Sequence, residues 1–257
     1  MSASPIIIAI QNGPAAPINL LGKWLTEFGF EVRILHAYTG QPLPKNLSEL
    51  MDSDKGEICA GFICLGGSIS VNDEKENPWL ITEKALIRSS VAQNIPTLGI
   101  CLGAQLLASS LGGTVEQGSQ PEIGIYPITF SNNSSANADL FPGFEGASLP
   151  SLQWHEDFIT RLPPDSISIA SSPLAPHQIF STGGIHYGFQ FHPEADSTIV
   201  SIWERKADQA YQRSNQPKDL VATVNENMEA LQATWKPVIK RWGDLVMQQL
   251  SLRPEQP

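Results

Sequence analysis

Basic residues are few in this sequence: 16 Lys and Arg stand against 26 Asp and Glu, for a formal net charge of -10. A nucleic-acid backbone is gripped by clustered cations, and no basic run occurs here, so no nucleic-acid partner is expected. A charge-steered partner would be cationic or small. Cysteine is scarcer still, with Cys59, Cys64 and Cys101 the only three in 257 residues. An odd, sparse count is no disulfide framework, and it suits a reducing compartment where a thiol stays free. Cys59 and Cys64 form a C-x4-C without a second pair, which reads as strand-core thiols; neither a metal nor a cofactor is expected. His36, His177 and His186 have no ligand-like spacing either. Long apolar runs are missing too. After an N-terminus without basic residues comes only Ile6 to Ile10, too short for a signal-peptide core or a membrane span. A cytoplasmic protein with no membrane partner is the expectation. Asn132 to Ala138 reads as a polar loop. No phosphate-binding G-x-x-x-x-G-K-[ST] occurs, so the chain is not expected to use ATP itself.

What is present suits a packed core, since apolar residues make up 41% of the chain. Ile6 to Ile10 is a short continuous apolar run, as in a strand covered on both faces. Leu20, Leu21, Trp24, Leu25 and Phe28 recur at helical spacing, and Gly29 stops them. Val32 and Ile34 suggest a second strand and Ile58 to Leu65 a third, ending in Gly66-Gly67. A helix is predicted from Trp79 to Val91, a strand over Pro96 to Ile100, and a further helix from Leu102 to Leu111. Strands alternating with helices predict an α/β fold: a doubly wound, mostly parallel sheet with flanking helices in a flavodoxin-like, three-layer arrangement. Beyond residue 113 strands are predicted over Glu122 to Phe130 and Gln178 to Phe191, the latter folded at Gly183-Gly184. Residues 1–200 are read as one domain and residues 201–257 as a helical extension. There Leu220, Val224, Met228, Leu231, Trp235, Val238, Trp242 and Leu245 form one apolar stripe, which Pro237 should kink or split. The stripe either packs back on the domain or docks another subunit, and folding back is favoured.

Gly99-Ile100-Cys101-Leu102-Gly103 places a cysteine between a predicted strand and a predicted helix. A nucleophile on such a tight turn stands out at the carboxyl end of the sheet, where open α/β sheets bind ligands. Glycines relieve the crowding, and the helix N-terminus aimed at the sulfur favours a thiolate. Farther on, His192 and Glu194 are two residues apart at the end of a strand signal, with Pro193 fixing φ between them. Such a carboxylate can hold the imidazole tautomer while the other ring nitrogen faces the thiol, the logic of a Cys-His-Glu triad.

With these paired motifs the chain resembles the class I glutamine amidotransferases, in particular stand-alone members similar to the amidotransferase domain of GMP synthase. Gly99 to Gln105 matches that family's nucleophile motif, and Gln190-Phe191-His192-Pro193-Glu194 its His/Glu motif. Leu65-Gly66-Gly67, Pro78-Trp79-Leu80, Pro121 to Gly124 and Gln153 to Asp157 agree as well, so the likeness runs in order over roughly residues 5–200. Two departures are Ser68, where the family usually has Pro, and Glu156, where it usually has Gly.

The resemblance implies that Cys101 attacks the γ-carbonyl of glutamine or a γ-glutamyl compound, that His192 moves the protons, and that Glu194 orients it. The backbone amides of Gly67 and Leu102 would hold the oxyanion, and Gln105 would help bind the glutamyl group. His155 either lines the substrate pocket or is simply a packed, hydrogen-bonded histidine. Three functions follow: a glutaminase releasing ammonia to a partner synthetase, a self-sufficient hydrolase of γ-glutamyl peptides or amides, and, least favoured, a non-catalytic binding subunit. An α/β-hydrolase is excluded, because there the carboxylate and His lie far apart in the sequence.

Overall fold

The computed structural model describes residues 4–132, 140–206, 214 and 219–253. Most of the predicted polar loop, residues 133–138, lies outside them. The strand and helix signals of the first half become β1 (Ser4–Gln11), α1 (Asn19–Glu27), β2 (Glu31–His36), β3 (Glu57–Cys64), α2 (Trp79–Ala92), β4 (Thr97–Ile100) and α3 (Leu102–Ser110). Then come β5 (Thr114–Phe130), β6 (Ser148–Arg161), β7 (Ser166–Ser171), β8 (Ile179–Thr182), β9 (His186–Phe189) and α4 (Ser197–Arg205). The last described element is α5 (Leu220–Leu252).

Among the described residues nine strands make one sheet in the order β2-β1-β3-β4-β9-β8-β7-β5-β6. The first five are mutually parallel, and from β9 onward each neighbour is antiparallel. β2 and β3 flank β1, so the chain reverses direction across the sheet there. A crevice opens at the carboxyl ends of the strands at such a point.

Alternation along β1 sorts the side chains into two cores. Ile7 and Ala9 face a layer with Leu21, Trp24 and Leu25 of α1 and with Trp235, Val238 and Trp242 of α5. Ile6, Ile8 and Ile10 face Leu80, Leu86 and Ile87 of α2 and Leu102 and Leu106 of α3. Side chains two apart on a strand share a face, and this period makes the three layers.

Of the one or two long helices that the stripe allowed, α5 is the single one: 33 residues with Pro237 inside it, not two shorter ones. Proline costs that helix one backbone bond, to the carbonyl of Ala233, but burial along its whole length holds it together. Its far end is tied down by Arg253, whose guanidinium donates to the carbonyls of Cys59 (2.7 Å) and Ala60 (3.1 Å). Those carbonyls lie where the β1–β3 register slips between Ile6 and Ile7. A bulge leaves backbone groups off the ladder, and the guanidinium supplies donors for them.

Two strands had no clear sequence signal. β6 pairs with β5 over a long antiparallel ribbon, from Thr114 opposite Arg161 to Thr129 opposite Ser148. β7 bridges that ribbon to β8. The hairpin at Gly183 and Gly184 has positive φ at both, 58° and 72°, which glycine adopts without strain.

Candidate active site

Cys101 follows β4 directly and caps α3, with φ 51° and ψ -109°. Positive φ is rare for a residue with a Cβ, and a residue held there is over-determined by its surroundings. Its amide donates to the Phe189 carbonyl at 2.8 Å, and its carbonyl receives the Gln105 amide at 3.0 Å. The flanking glycines are sterically required. A Cβ on Gly99 would stand 2.5 Å from the Gly103 carbonyl oxygen, and one on Gly103 would collide with the Cys64 carbonyl. This crowding lets α3 start hard against β3 and lifts the sulfur to the floor of a cavity of about 250 Å3.

His192 and Glu194 lie past the end of β9, in the segment that follows it. Proline at 193 has no N–H to continue a ladder, so the backbone turns there, and the turn, not a strand's pleat, brings the two side chains together. His192 Nδ1 meets Glu194 Oε1 at 2.7 Å, with both side chains at least 96% buried. The backbone is pinned on both sides: His192 N–H donates to the Leu152 carbonyl at 2.8 Å, and the Glu194 carbonyl receives Leu20 N–H at 3.2 Å. The Cys101 sulfur lies near enough to the imidazole to act on its charge. Burial alone would push the His192 pKa down, but the Glu194 carboxylate and the neighbouring sulfur outweigh it and raise the value to about 10. The three side chains thus form one connected, water-poor unit, able to store a proton on the imidazole.

Gly67 and Leu102 are adjacent: a Cβ on Gly67 would be 2.8 Å from Leu102 Cδ2. Leu102 is the first residue of α3, where an amide has no intrahelical acceptor. Gly66 fits under the site, since a Cβ there would be 3.2 Å from His192 Cε1 and 3.7 Å from Cys101 Cβ. Gln105 is buried and lines the cavity, but its amide nitrogen already donates to the Asp157 carbonyl (3.0 Å) and Gln190 Oε1 (3.4 Å). His155 lines the cavity as well. Its Nε2 sits between Gln153 Oε1 (3.0 Å) and Glu122 Oε2 (3.3 Å), and burial lowers its pKa more than Glu122 raises it. A neutral imidazole follows at neutral pH. Cys59 and Cys64 are free and buried, and burial pushes both thiols up, Cys59 to about 12. No group of three His, Cys, Asp or Glu suited to a metal ion occurs among the described residues. Nor is any described helix long and apolar enough to cross a membrane.

Sequence reasoning passed over Trp203. α4 begins at Asp196, whose carboxylate accepts from the amides of Thr198 (3.0 Å) and Ile199 (3.1 Å). Two turns on, Trp203 lies against the His192 ring (centroids 4.7 Å apart) and against Trp154 (5.3 Å). Its indole N–H donates to the Ala15 carbonyl at 2.7 Å. The imidazole is therefore walled by an aromatic ring from beyond the matched motifs. No motif or spacing marks it.

The family model for glutamine amidotransferase class-I matches residues 60–201, more than half of the chain. The protein belongs to the class I glutamine amidotransferases. The family's chemistry is hydrolysis of the glutamine amide. The chain is 32% identical over 175 residues to the glutamine amidotransferase-like protein YfeJ of Salmonella typhimurium, covering 67% of this chain and 68% of that protein. It is 36% identical over 159 residues to the GMP synthase of Acetivibrio thermocellus, covering 61% of this chain but only 28% of that enzyme. Among solved structures, a glutamine amidotransferase from Thermotoga maritima superposes with a TM-score of 0.78 at 26% identity, covering 93% of this chain and 98% of that one. One from Methylobacillus flagellatus, at 23% identity and a TM-score of 0.79, shares the fold.

Proposed function

We propose that this amidotransferase hydrolyses the γ-amide of glutamine through a γ-glutamyl thioester on Cys101 and passes the ammonia to a partner synthetase. The observation that carries this reading is the buried Cys101–His192–Glu194 unit, whose Cys101 lines the cavity. In the first step Cys101 Sγ bonds to the γ-carbon, and the carbonyl oxygen takes up negative charge facing the amides of Gly67 and Leu102. The C–N bond then breaks as the imidazolium of His192 gives its proton to the departing nitrogen, which leaves as ammonia. Water, deprotonated by the same imidazole, cleaves the thioester and releases glutamate. Glu194 keeps the imidazole in register and offsets its charge. Gln105 and His155 bound the side of the cavity that would receive the glutamyl group. The partner is supported by the GMP synthase relatives.

Labelling tests the nucleophile directly. A glutamine-like electrophile at neutral pH should modify Cys101 fast and spare Cys59 and Cys64, which burial keeps protonated. Peptide mapping of the adduct to either of the other two thiols would overturn the assignment. Turnover of glutamine, glutathione and γ-glutamyl amines by the isolated chain then separates the partner-dependent enzyme from a self-sufficient γ-glutamyl hydrolase.

A further inference from the structure

One carboxyl group in the core takes no part in the chemistry above. Glu83 lies on the inward face of α2 and is 0% exposed. Its Oε1 accepts from Asn12 Nδ2 at 3.2 Å, while Oε2 has no hydrogen-bond partner. Asn12, just past β1 at the sheet's crevice, is held at three points. Its Nδ2 also donates to the Leu65 carbonyl at 3.2 Å, and its Oδ1 accepts from Trp79 Nε1 at 3.1 Å. Both amide hydrogens and the amide oxygen are therefore committed, and the amide cannot flip without losing bonds. Asn12 is also the floor under Gly67, because a Cβ on Gly67 would stand 3.0 Å from Asn12 Cβ. The Leu65 carbonyl that it grips is two residues before Gly67.

We infer that Glu83 is a positioning residue for the oxyanion-binding amide of Gly67, acting through Asn12 and the Leu65 carbonyl. The inference rests on the role proposed above for that amide. An oxyanion donor acts only when it is already aimed, so orientation of the Leu65–Gly67 segment enters the rate and not the affinity for substrate. A bare carboxylate at this depth would be costly, and the site is built for the neutral acid. Burial pushes the Glu83 pKa up to about 8, with the Asn12 amide and the nearby Cys64 thiol pulling it the other way. The titratable side chain facing it is the Cys64 thiol of β3, itself kept neutral by burial, and Asn12 faces it from the end of β1. Lys84 on the next position of α2 turns instead to Glu74 and the Val71 carbonyl.

The test compares Glu83→Gln with Glu83→Leu in the full chain, measuring glutaminase kinetics, alkylation of Cys101 by iodoacetamide and thermal melting. Gln keeps a neutral acceptor for Asn12, so kcat should stay within about twofold of wild type. Leu removes the acceptor while filling the space. Its kcat should fall by about tenfold to a hundredfold with KM within about twofold, as for a misaimed oxyanion donor. Alkylation is a displacement at carbon that develops no oxyanion, so its rate at Cys101 should be unchanged in both variants. Ionisation of Glu83 has a further signature. Between about pH 4.5 and 8 the unfolded chain has lost this proton and the folded chain keeps it, so its contribution to stability falls as pH rises. Wild type should thus lose Tm relative to Glu83→Gln across that window. A Leu variant with wild-type kcat, or one whose alkylation and turnover fall together, overturns the inference. A wild-type chain that is alkylated at Cys101 yet hydrolyses no γ-glutamyl substrate sinks the proposed function, and the inference with it.

Discussion

Replacing His192 with Ala should reduce glutamine turnover by at least about a thousandfold while leaving the fold intact. The imidazole has two jobs in the proposed cycle, giving a proton to ammonia and then taking one from water, and no neighbouring group can stand in. The imidazole that lines the cavity, His155, is held neutral by burial and bonded to Gln153 and Glu122. Loss of a general acid–base group in a triad typically costs several orders of magnitude, because its members act as a unit. Glu194→Gln should cost less and leave KM nearly unchanged. An amide at 194 can still bond Nδ1, but it no longer offsets the imidazolium charge, and it can turn its N–H toward the ring and select the wrong tautomer. Since Glu194 and the sulfur raise the His192 pKa from 6.5 to about 10, the charge pairing in this unit stabilises the fold fully below about pH 6.5. The contribution is lost as pH rises from there to about 10. Steady-state kinetics of the two variants decide the matter. More than about a tenth of wild-type kcat in His192→Ala, a barrier change under about 1.4 kcal/mol, would remove His192 from the mechanism.

Deleting the chain from Lys218 onward should leave protein that is insoluble or unfolded, not a tidy smaller domain. Leu220, Val224, Leu231, Trp235, Val238, Ile239, Trp242 and Val246 are each at most 6% exposed. Trp235 packs on the Phe191 ring at 4.5 Å between centroids, and its indole N–H reaches the Pro150 carbonyl of β6 at 3.0 Å. Burying a large apolar side chain contributes roughly 1.5–3 kcal/mol, so eight of them match or outweigh the ~5–15 kcal/mol that hold a typical domain together. Light scattering and far-UV circular dichroism of the truncated chain read the outcome. A soluble product with native circular dichroism that has lost only a dimer or partner would make α5 an interface instead.

The parallel half of the sheet could be read from the sequence because its signals are local. Ile6 to Ile10 is apolar on both faces, Gly29 stops α1, and the glycines around Cys101 announce a crowded turn. β6 hid for the opposite reason. Ser148 to Arg161 contains Pro150 and a run of polar residues, and it becomes a strand only by pairing with β5 across a long connection. Non-local pairing leaves little trace in local pattern. Cys101, His192 and Glu194, for which the triad role is proposed, stood out in the sequence because their spacing matches that chemistry. Trp203 was not, because an aromatic ring on an amphipathic helix looks the same whether it covers a leucine or an imidazole. Glu83 lay between these cases. It occupies the buried face of α2 with Leu80, Leu86 and Ile87, and a carboxylate in an apolar stripe is a signal that can be looked for.

The grip of Arg253 on β3 also sets an order of events. Its bond to the Cys59 carbonyl spans 194 residues of chain. The sheet face made by β1, β3 and β4 is covered by α1 and α5 together, and α5 is the last of the described elements to be synthesised. During translation that face stays bare until α5 has emerged. Contacts between such distant segments form slowly, and an uncovered apolar sheet is sticky while it waits. Refolding from denaturant should therefore yield more soluble protein at low chain concentration, with α5 docking as the late step that ends the exposure.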